Sequence, residues 1–334
     1  MVNIRDVAAD AGVSITTVSR ALNGSGRVGP ATRERIVASA SRLGYQPNDL
    51  ARSLHGGSTG TVAVLVPDIT NPFFPELVAG IQAVANARGN LLLLCQTGGD
   101  TAIAVRELTH MRRKRVDGVI LVGGLQRDAA LAEAVAELRV VTVDRDTGLD
   151  SAWSVRADHH VGGRIATEHL VELGHERIAC IAGPADLAVS EDRLAGYLEA
   201  LEDSGLTPDE ALVVRGNFLE DGGYDGLRAL RRRRVAFSAV VCGNDLTAVG
   251  ALRGLDEVGL RVPEDVSLVG FDDIHLASFL RPSLTTVRQP IHELGRRAAT
   301  LLLEHAMADA PEQHDVLDVQ LVRRASTAPV RTGG

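Results

Sequence analysis

Side chains suited to recognition fall in two separate stretches of this 334-residue sequence. In the first, Ile15, Thr16 and Arg20 stand on the outer face of a short helical segment, while Val18, Ala21 and Leu22 fall inward at helical spacing. The fork of Arg20 matches guanine O6 and N7, Thr16 can bond either class of base edge, and Ile15 offers apolar contact only. Arg20 is equally able to hold a phosphate or stay solvated. Ser14, Thr17 and Asn23 at the ends of the same segment suit phosphate oxygens, which position a module without reading sequence. The second stretch places Asp144, Asn244–Asp245 and Asp272–Asp273 just beyond apolar, strand-like runs. Open α/β sheets bind ligands at such carboxyl ends. Arg193 opens a helical run, RLAGY, after Pro184. Of the pair Asn244–Asp245, either could instead cap the helix that follows. The cap is expected of Asp245 and a ligand contact of Asn244.

Other chemistry finds little support. The chain lacks GxSxG, a Walker A loop and a His/Cys cluster with metal spacing, so no enzyme, cofactor or metal site is expected. His159, His160, His169 and His175 have no ligand spacing and are expected along one surface helix. RRKR at 112–115 and RRRR at 231–234 end helical runs, where cations complement the helix dipole.

The elements that must hold these residues differ between the two stretches. In the head, Asn3 can cap a first helix with Ile4, Val7, Ala8 and Ala11 on one face, and Gly12 ends it. Ser14 caps a second helix over 15–22, which Asn23–Gly24 stops. Pro30 opens a third, with Ile36, Ala40 and Leu43 inward and Gly44 closing it. Two helices joined across a glycine turn form a helix-turn-helix. Pro47 then starts NDLARSLH, about eight residues and too short for a stable isolated helix, and HGGSTG over 55–60 reads as a linker. From 61 onward apolar runs alternate with helical patterns: 61–69, 91–98, 118–124, 140–146, 177–184, 211–217, 239–245 and 266–273, with 284–290 and 316–326 after them. Continuous apolar strands separated by helices predict parallel sheets covered on both faces. So many strands exceed one ordinary open sheet and predict two doubly wound lobes with a cleft between them.

Charge follows the same division. The chain carries −8 overall, yet residues 1–55 hold seven Arg against four acids, leaving −11 for the remainder. A small basic head on an acidic body fits a DNA-binding module joined to a sensor. Aromatic residues make up only 3%, so the core must be aliphatic. No apolar run approaches the roughly 20 residues of a membrane helix, and the N-terminus, with Asp6, does not resemble a signal peptide. Cys95, Cys180 and Cys242 are expected as buried strand residues without redox spacing, which suits the reducing cytoplasm.

IRDVAADAGVSITTVSRALNG resembles the DNA-binding head of the lactose-repressor (LacI/GalR) family, and QPNDLARSL resembles its hinge helix. NPFFPELVAGI, RVDGVIL, RLAGY, CGNDLTAVGAL, VPEDVSLVGFDD and LTTVRQP are similar to runs in its periplasmic-binding-protein-like body. The resemblance covers essentially the whole chain in order. It implies a cytoplasmic transcription regulator, a repressor controlled by a small polar effector. The implied organisation is an all-α helix-turn-helix head over 1–46, hinge helix and linker over 47–60, and a two-lobed body of doubly wound parallel sheets over 61–334 that binds effector and dimerises. A homodimer would read palindromic operator DNA. The resemblance assigns base readout to Arg20. It also implies minor-groove insertion by Leu54, with the two hinge helices meeting around Ala51. In the cleft it implies effector contacts from Arg193, Asp272, Asp144, Asn244 and Gln289, with Phe73 and Phe218 as apolar walls. Head and hinge are especially similar to the purine-repressing members. However, Leu187, Ala188 and Val189 stand where those members carry polar purine contacts. A sugar or related polyol is therefore the expected effector.

Overall fold

The structure is a computed structural model, and it describes residues 2–22, 26–45, 59–123, 129–144, 153–304 and 313–330. It divides into two compact units, one of residues 1–61 with 114–117 and one of the remaining chain.

The small unit holds helices α1 (Ile4–Ala11), α2 (Ile15–Leu22) and α3 (Pro30–Leu43). Asn3 and Asp6 form a reciprocal capping box at the start of α1, and Gly12 ends the helix at φ 66°. Ser14 Oγ accepts from Thr17 N at 3.1 Å and so caps α2. Pro30 lies in the first turn of α3, and Gly44, again at φ 66°, closes it. Val7, Ala8, Ala11, Val18, Ala21, Ile36 and Ala40 form the shared core. Asp10 ties α1 to α3 through Ser39 and Arg42.

The large unit carries two six-stranded sheets. The first lobe has β1 (Thr61–Val66), β2 (Leu91–Gln96), β3 (Gly118–Val122), β4 (Val140–Val143), β5 (Trp153–Ala157) and β11 (Gln313–Leu317), in the order β11-β5-β4-β3-β1-β2. Around it lie α4 (Phe73–Ala87), α5 (Thr101–Lys114), α6 (Ala129–Val135) and α11 (Ile291–Glu304). The second lobe has β6 (Ile178–Ala182), β7 (Val213–Arg215), β8 (Ala239–Cys242), β9 (Ser267–Asp272), β10 (Thr285–Arg288) and β12 (Gln320–Val322), in the order β12-β10-β9-β8-β6-β7. Its helices are α7 (His159–Glu172), α8 (Ala188–Asp203), α9 (Glu220–Arg232) and α10 (Asp245–Asp256).

The chain passes between the lobes three times: after β5, after β10, and between β11 and β12. The apolar run 316–326, expected as one strand, is split between the two sheets for this reason. β12 pairs antiparallel with β10, so the second sheet is not wholly parallel. β5 lies outside the expected apolar runs because Ser154 and Arg156 interrupt its pattern, as befits a strand near the sheet edge. β2 also departs from expectation. It is an edge strand with Leu91 62% and Leu94 44% exposed, and Cys95 is only half-buried. Cys180 and Cys242 are buried as expected, and burial pushes the Cys180 thiol up to about 12.

Glycines set the helix spacing. A Cβ at Gly80 would lie 2.1 Å from His292 O, and one at Gly295 2.1 Å from Leu77 O, across the α4–α11 contact. Gly163 and Gly196 do the same across α7–α8, and Gly223 and Gly250 across α9–α10. No described helix is long and apolar enough to cross a membrane.

Candidate functional site

Within the small unit, α2 exposes Ile15, Thr16 and Arg20 on the face opposite its buried Val18 and Ala21. Ser14 is exposed and Thr17 half-buried, and their hydroxyls lie 2.8 Å apart. Apolar Ile15, 44% exposed, has no place in the head's core. Asn23, Ala51 and Leu54 lie outside the described residues.

Within the large unit, a cleft of about 570 Å³ opens between the carboxyl ends of the two sheets. That volume suits a small-molecule site. Phe73 and Phe218 line it, with Asp144, Arg193, Asn244 and Asp272. The ring of Phe218 rests on a glycine seat, where a Cβ at Gly183 would lie 2.1 Å from its Cζ. Asp144, Phe218 and Asp272 all have left-handed backbones, at φ 47°, 65° and 112°. Positive φ is uncommon outside glycine and gathers at ligand sites.

Arg193 is the most constrained of these groups. It sits in the second turn of α8, which begins at Ala188, rather than opening the helix. Its Nη1 donates to Gly243 O at 2.5 Å, and its Nη2 lies 3.7 Å from Asp272 Oδ1. Its guanidinium stacks over Phe271, 3.7 Å from the ring centroid. Burial lowers its pKa, against the pull of Asp272 and Asp144. Burial is also the largest influence on Asp272 and, with the charge of Asp144, raises it to about 6 despite Arg193, Gln289 and Asn244. Asp144 is buried too, but His159, the hydrogen bond from Ala157 N and the Arg193 charge outweigh burial and hold its carboxyl below the ordinary value.

Three expectations change here. Asn244, not Asp245, caps α10: its Oδ1 accepts from Thr247 N at 2.9 Å, while its Nδ2 donates to Phe218 O at 2.9 Å. Asp245, the next residue, turns into the core. It accepts from Ile274 N at 2.9 Å and Thr286 Oγ1 at 2.5 Å, and burial with the nearby Asp272 charge pushes its pKa up. Gln289 sits behind Asp272 rather than on the cleft wall, because β10 runs beside β9 and Arg288 pairs with Asp272. It donates to Asp272 Oδ1 at 2.6 Å, and its buried Oε1 has no hydrogen-bond partner. The histidines do not share a surface helix. His159, His160 and His169 lie on α7 and His175 beyond it, and His159, His169 and His175 are buried. His175 bonds Ser238, Ser267 and Ala328 O, which places it in the packing of the C-terminal segment.

Asp68, Asn71, Gln96, Asp186 and Asn217 also line the cleft. Asp68 and Gln96 lie at the carboxyl ends of β1 and β2, so the rule that picked out Asp144 and Asp272 could have found them. Among the described residues, no group of three or more His, Cys, Asp or Glu is placed to hold a metal ion.

Residues 3–48 match the model for bacterial regulatory proteins of the lacI family, and 167–327 match a periplasmic binding protein-like domain. The ribose operon repressor of Escherichia coli (strain K12) is 38% identical over 305 residues, 91% of this chain and 92% of that protein. A transcriptional regulator CelR–cellobiose complex is 37% identical with a TM-score of 0.75, covering 98% of this chain and 100% of that one. A lac repressor dimer bound to operator and the anti-inducer ONPF is 30% identical with a TM-score of 0.86, covering 98% and 99%. These relatives are transcriptional regulators. With a helix-turn-helix head, a two-lobed body and matches spanning both, the chain belongs to the lacI family of bacterial regulatory proteins.

Proposed function

We propose that this protein is a cytoplasmic, non-enzymatic transcriptional repressor that binds palindromic operator DNA as a homodimer and is controlled by a neutral sugar or related polyol. In this reading residues 1–46 read DNA, 47–60 form the hinge, and 61–334 bind effector and dimerise. The observation that carries the effector half is the grouping of Arg193, Asp272 and Asp144 between Phe73 and Phe218 in one cleft. Arg193 and Asp272 are near enough for one hydroxyl to accept from the first and donate to the second. The aromatic walls suit the apolar face of a sugar ring. Asp68, Asp144, Asp186 and Asp272 line the cleft against Arg193, a balance that disfavours phosphorylated or acidic sugars. The named relatives support a sugar: one is called a ribose operon repressor and another is held with cellobiose.

On the DNA side, Ile15, Thr16 and Arg20 would meet base edges, with Ser14, Thr17 and Asn23 on phosphates. Leu54 would enter the minor groove beside Ala51 of the paired hinge helices. The exposed leucines of edge strand β2 are apolar surface that a second subunit would cover, in keeping with dimerisation through the first lobe. The deciding experiment is operator binding titrated against neutral, amino and phosphorylated sugars. A neutral sugar should shift operator affinity, and Arg193→Ala or Asp272→Ala should abolish the shift while leaving the dimer intact. A response only to anionic ligands would refute the proposed cleft chemistry.

A further inference from the structure

His159 stands behind the cleft wall, between two residues that the proposed effector site depends on. Its side chain is 1% exposed. Nε2 lies 3.0 Å from Asp144 Oδ1, at the end of β4 in the first lobe. Nδ1 lies 3.3 Å from both Nε and Nη2 of Arg193, on α8 in the second lobe. A guanidinium can only donate, so Nδ1 must present its lone pair and the ring proton must sit on Nε2. Asp144 Oδ1 accepts from Ala157 N at 2.9 Å as well, which fixes the carboxylate from a second side. Gly243 O, Asp272 and the rings of Phe271 and Phe218, which also meet Arg193, all belong to the second lobe. Beyond the through-space attraction of Asp144, His159 is the partner among these that links Arg193 to the first lobe by hydrogen bonds. The Phe271 ring, centred 6.0 Å away, backs the imidazole.

We propose that His159 is a positioning residue: its Nε2–H and Nδ1 lone pair join Asp144 of one lobe to Arg193 of the other, fixing both at the spacing the effector requires. The inference rests on reading the cleft as the effector site. Groups that contact a ligand need neighbours that lock their rotamers, and His159 would serve both sides of the cleft at once. A side chain that only filled space here would need no donor on one edge and acceptor on the other.

The test uses the full-length protein with nitrogen-15-labelled histidine. Imidazole NMR, with His159 assigned by its loss in His159→Gln, should find a single Nε2–H tautomer at neutral pH. In Arg193→Met the Nδ1 lone pair loses its donors, so the Nδ1 resonance should shift while Asp144 keeps the proton on Nε2. An Nδ1–H ring or a doubly protonated ring in the wild type would overturn the proposal, as would a spectrum unmoved by Arg193→Met. Calorimetric titration with D-ribose and cellobiose adds the functional arm. For whichever sugar the wild type binds, His159→Leu should weaken affinity at least ~10-fold, about 1.4 kcal/mol. His159→Gln, whose amide can still accept from Arg193 and donate to Asp144, should retain most of the affinity. Equal losses in the two variants would also overturn the proposal. Wild-type protein that binds neither sugar would count against the sugar reading alone, since the ring measurement judges His159 without any ligand.

Discussion

Replacing Gly163 by alanine tests whether the spacing of α7 and α8 holds the cleft in shape. A Cβ at Gly163 would lie 2.0 Å from Arg193 O, and one at Gly196 would lie 2.0 Å from His160 O, so the helices touch backbone to backbone. Reaching an ordinary contact of 3.4 Å requires a separation of about 1.4 Å more. The atom struck belongs to Arg193 itself. Its hydrogen bonds to His159, already 3.3 Å long, cannot survive a shift of that size. Overpacking of this kind costs about 1–3 kcal/mol of stability. With His159 no longer holding Arg193, effector binding should weaken as in His159→Leu, by ~10-fold or more, about 1.4 kcal/mol. Urea unfolding of the variant and calorimetric titration with effector measure the two effects separately. Gly118→Ala is the control: its Cβ would meet Leu302 Cδ1 at 2.6 Å, at the end of β3 remote from the cleft. It should lose stability and keep effector affinity. Gly163→Ala protein with wild-type stability and affinity would show that the α7–α8 contact does not hold the cleft in shape.

Further outcomes follow from the same geometry. Arg20→Ala should cost about 1–3 kcal/mol on the best operator and relax preference at one base pair per half-site. Uniform weakening on every sequence would make Arg20 a phosphate contact. Asp272 can take hydroxyl protons at both oxygens only while ionised, and burial raises its pKa to about 6. Effector binding should therefore weaken as pH falls through about 6, where Asp272 loses its charge and one of its acceptor oxygens. An affinity that stays flat from neutral pH down to about 5 would contradict this role for Asp272. Leu54→Ala should weaken operator binding and reduce the bend of the DNA, with effector affinity of the free protein nearly unchanged. A full bend in that variant, measured by gel mobility or fluorescence transfer, would remove Leu54 as the wedge.

Local signals in the sequence were enough for the head. Asn3, Ser14, Pro30 and the glycines at 12 and 44 act on their own neighbours within a turn, so the helix limits could be read from residue types alone. The strand ends were legible for a similar reason: an apolar run followed by a polar residue marks where a parallel strand leaves the sheet, and Asp144 and Asp272 stand at such places. Pairings between residues far apart in the chain come from tertiary packing. Asn244 and Asp245 are adjacent and chemically alike, and only the packing of β8, β9 and β10 determines which one caps α10 and which is buried against Thr286. Gln289 looked like a direct contact until strand register set it behind Asp272. The split of 313–322 between two sheets depends on the chain's third passage between lobes, which no local pattern encodes. His159 is the plainest case. Its partners lie 15 and 34 residues away in sequence, so a doublet that looked like helix surface became the buried link between Asp144 and Arg193. Sequence periodicity reports which face of an element is apolar, whereas burial of a polar side chain depends on partners that only the folded chain brings together.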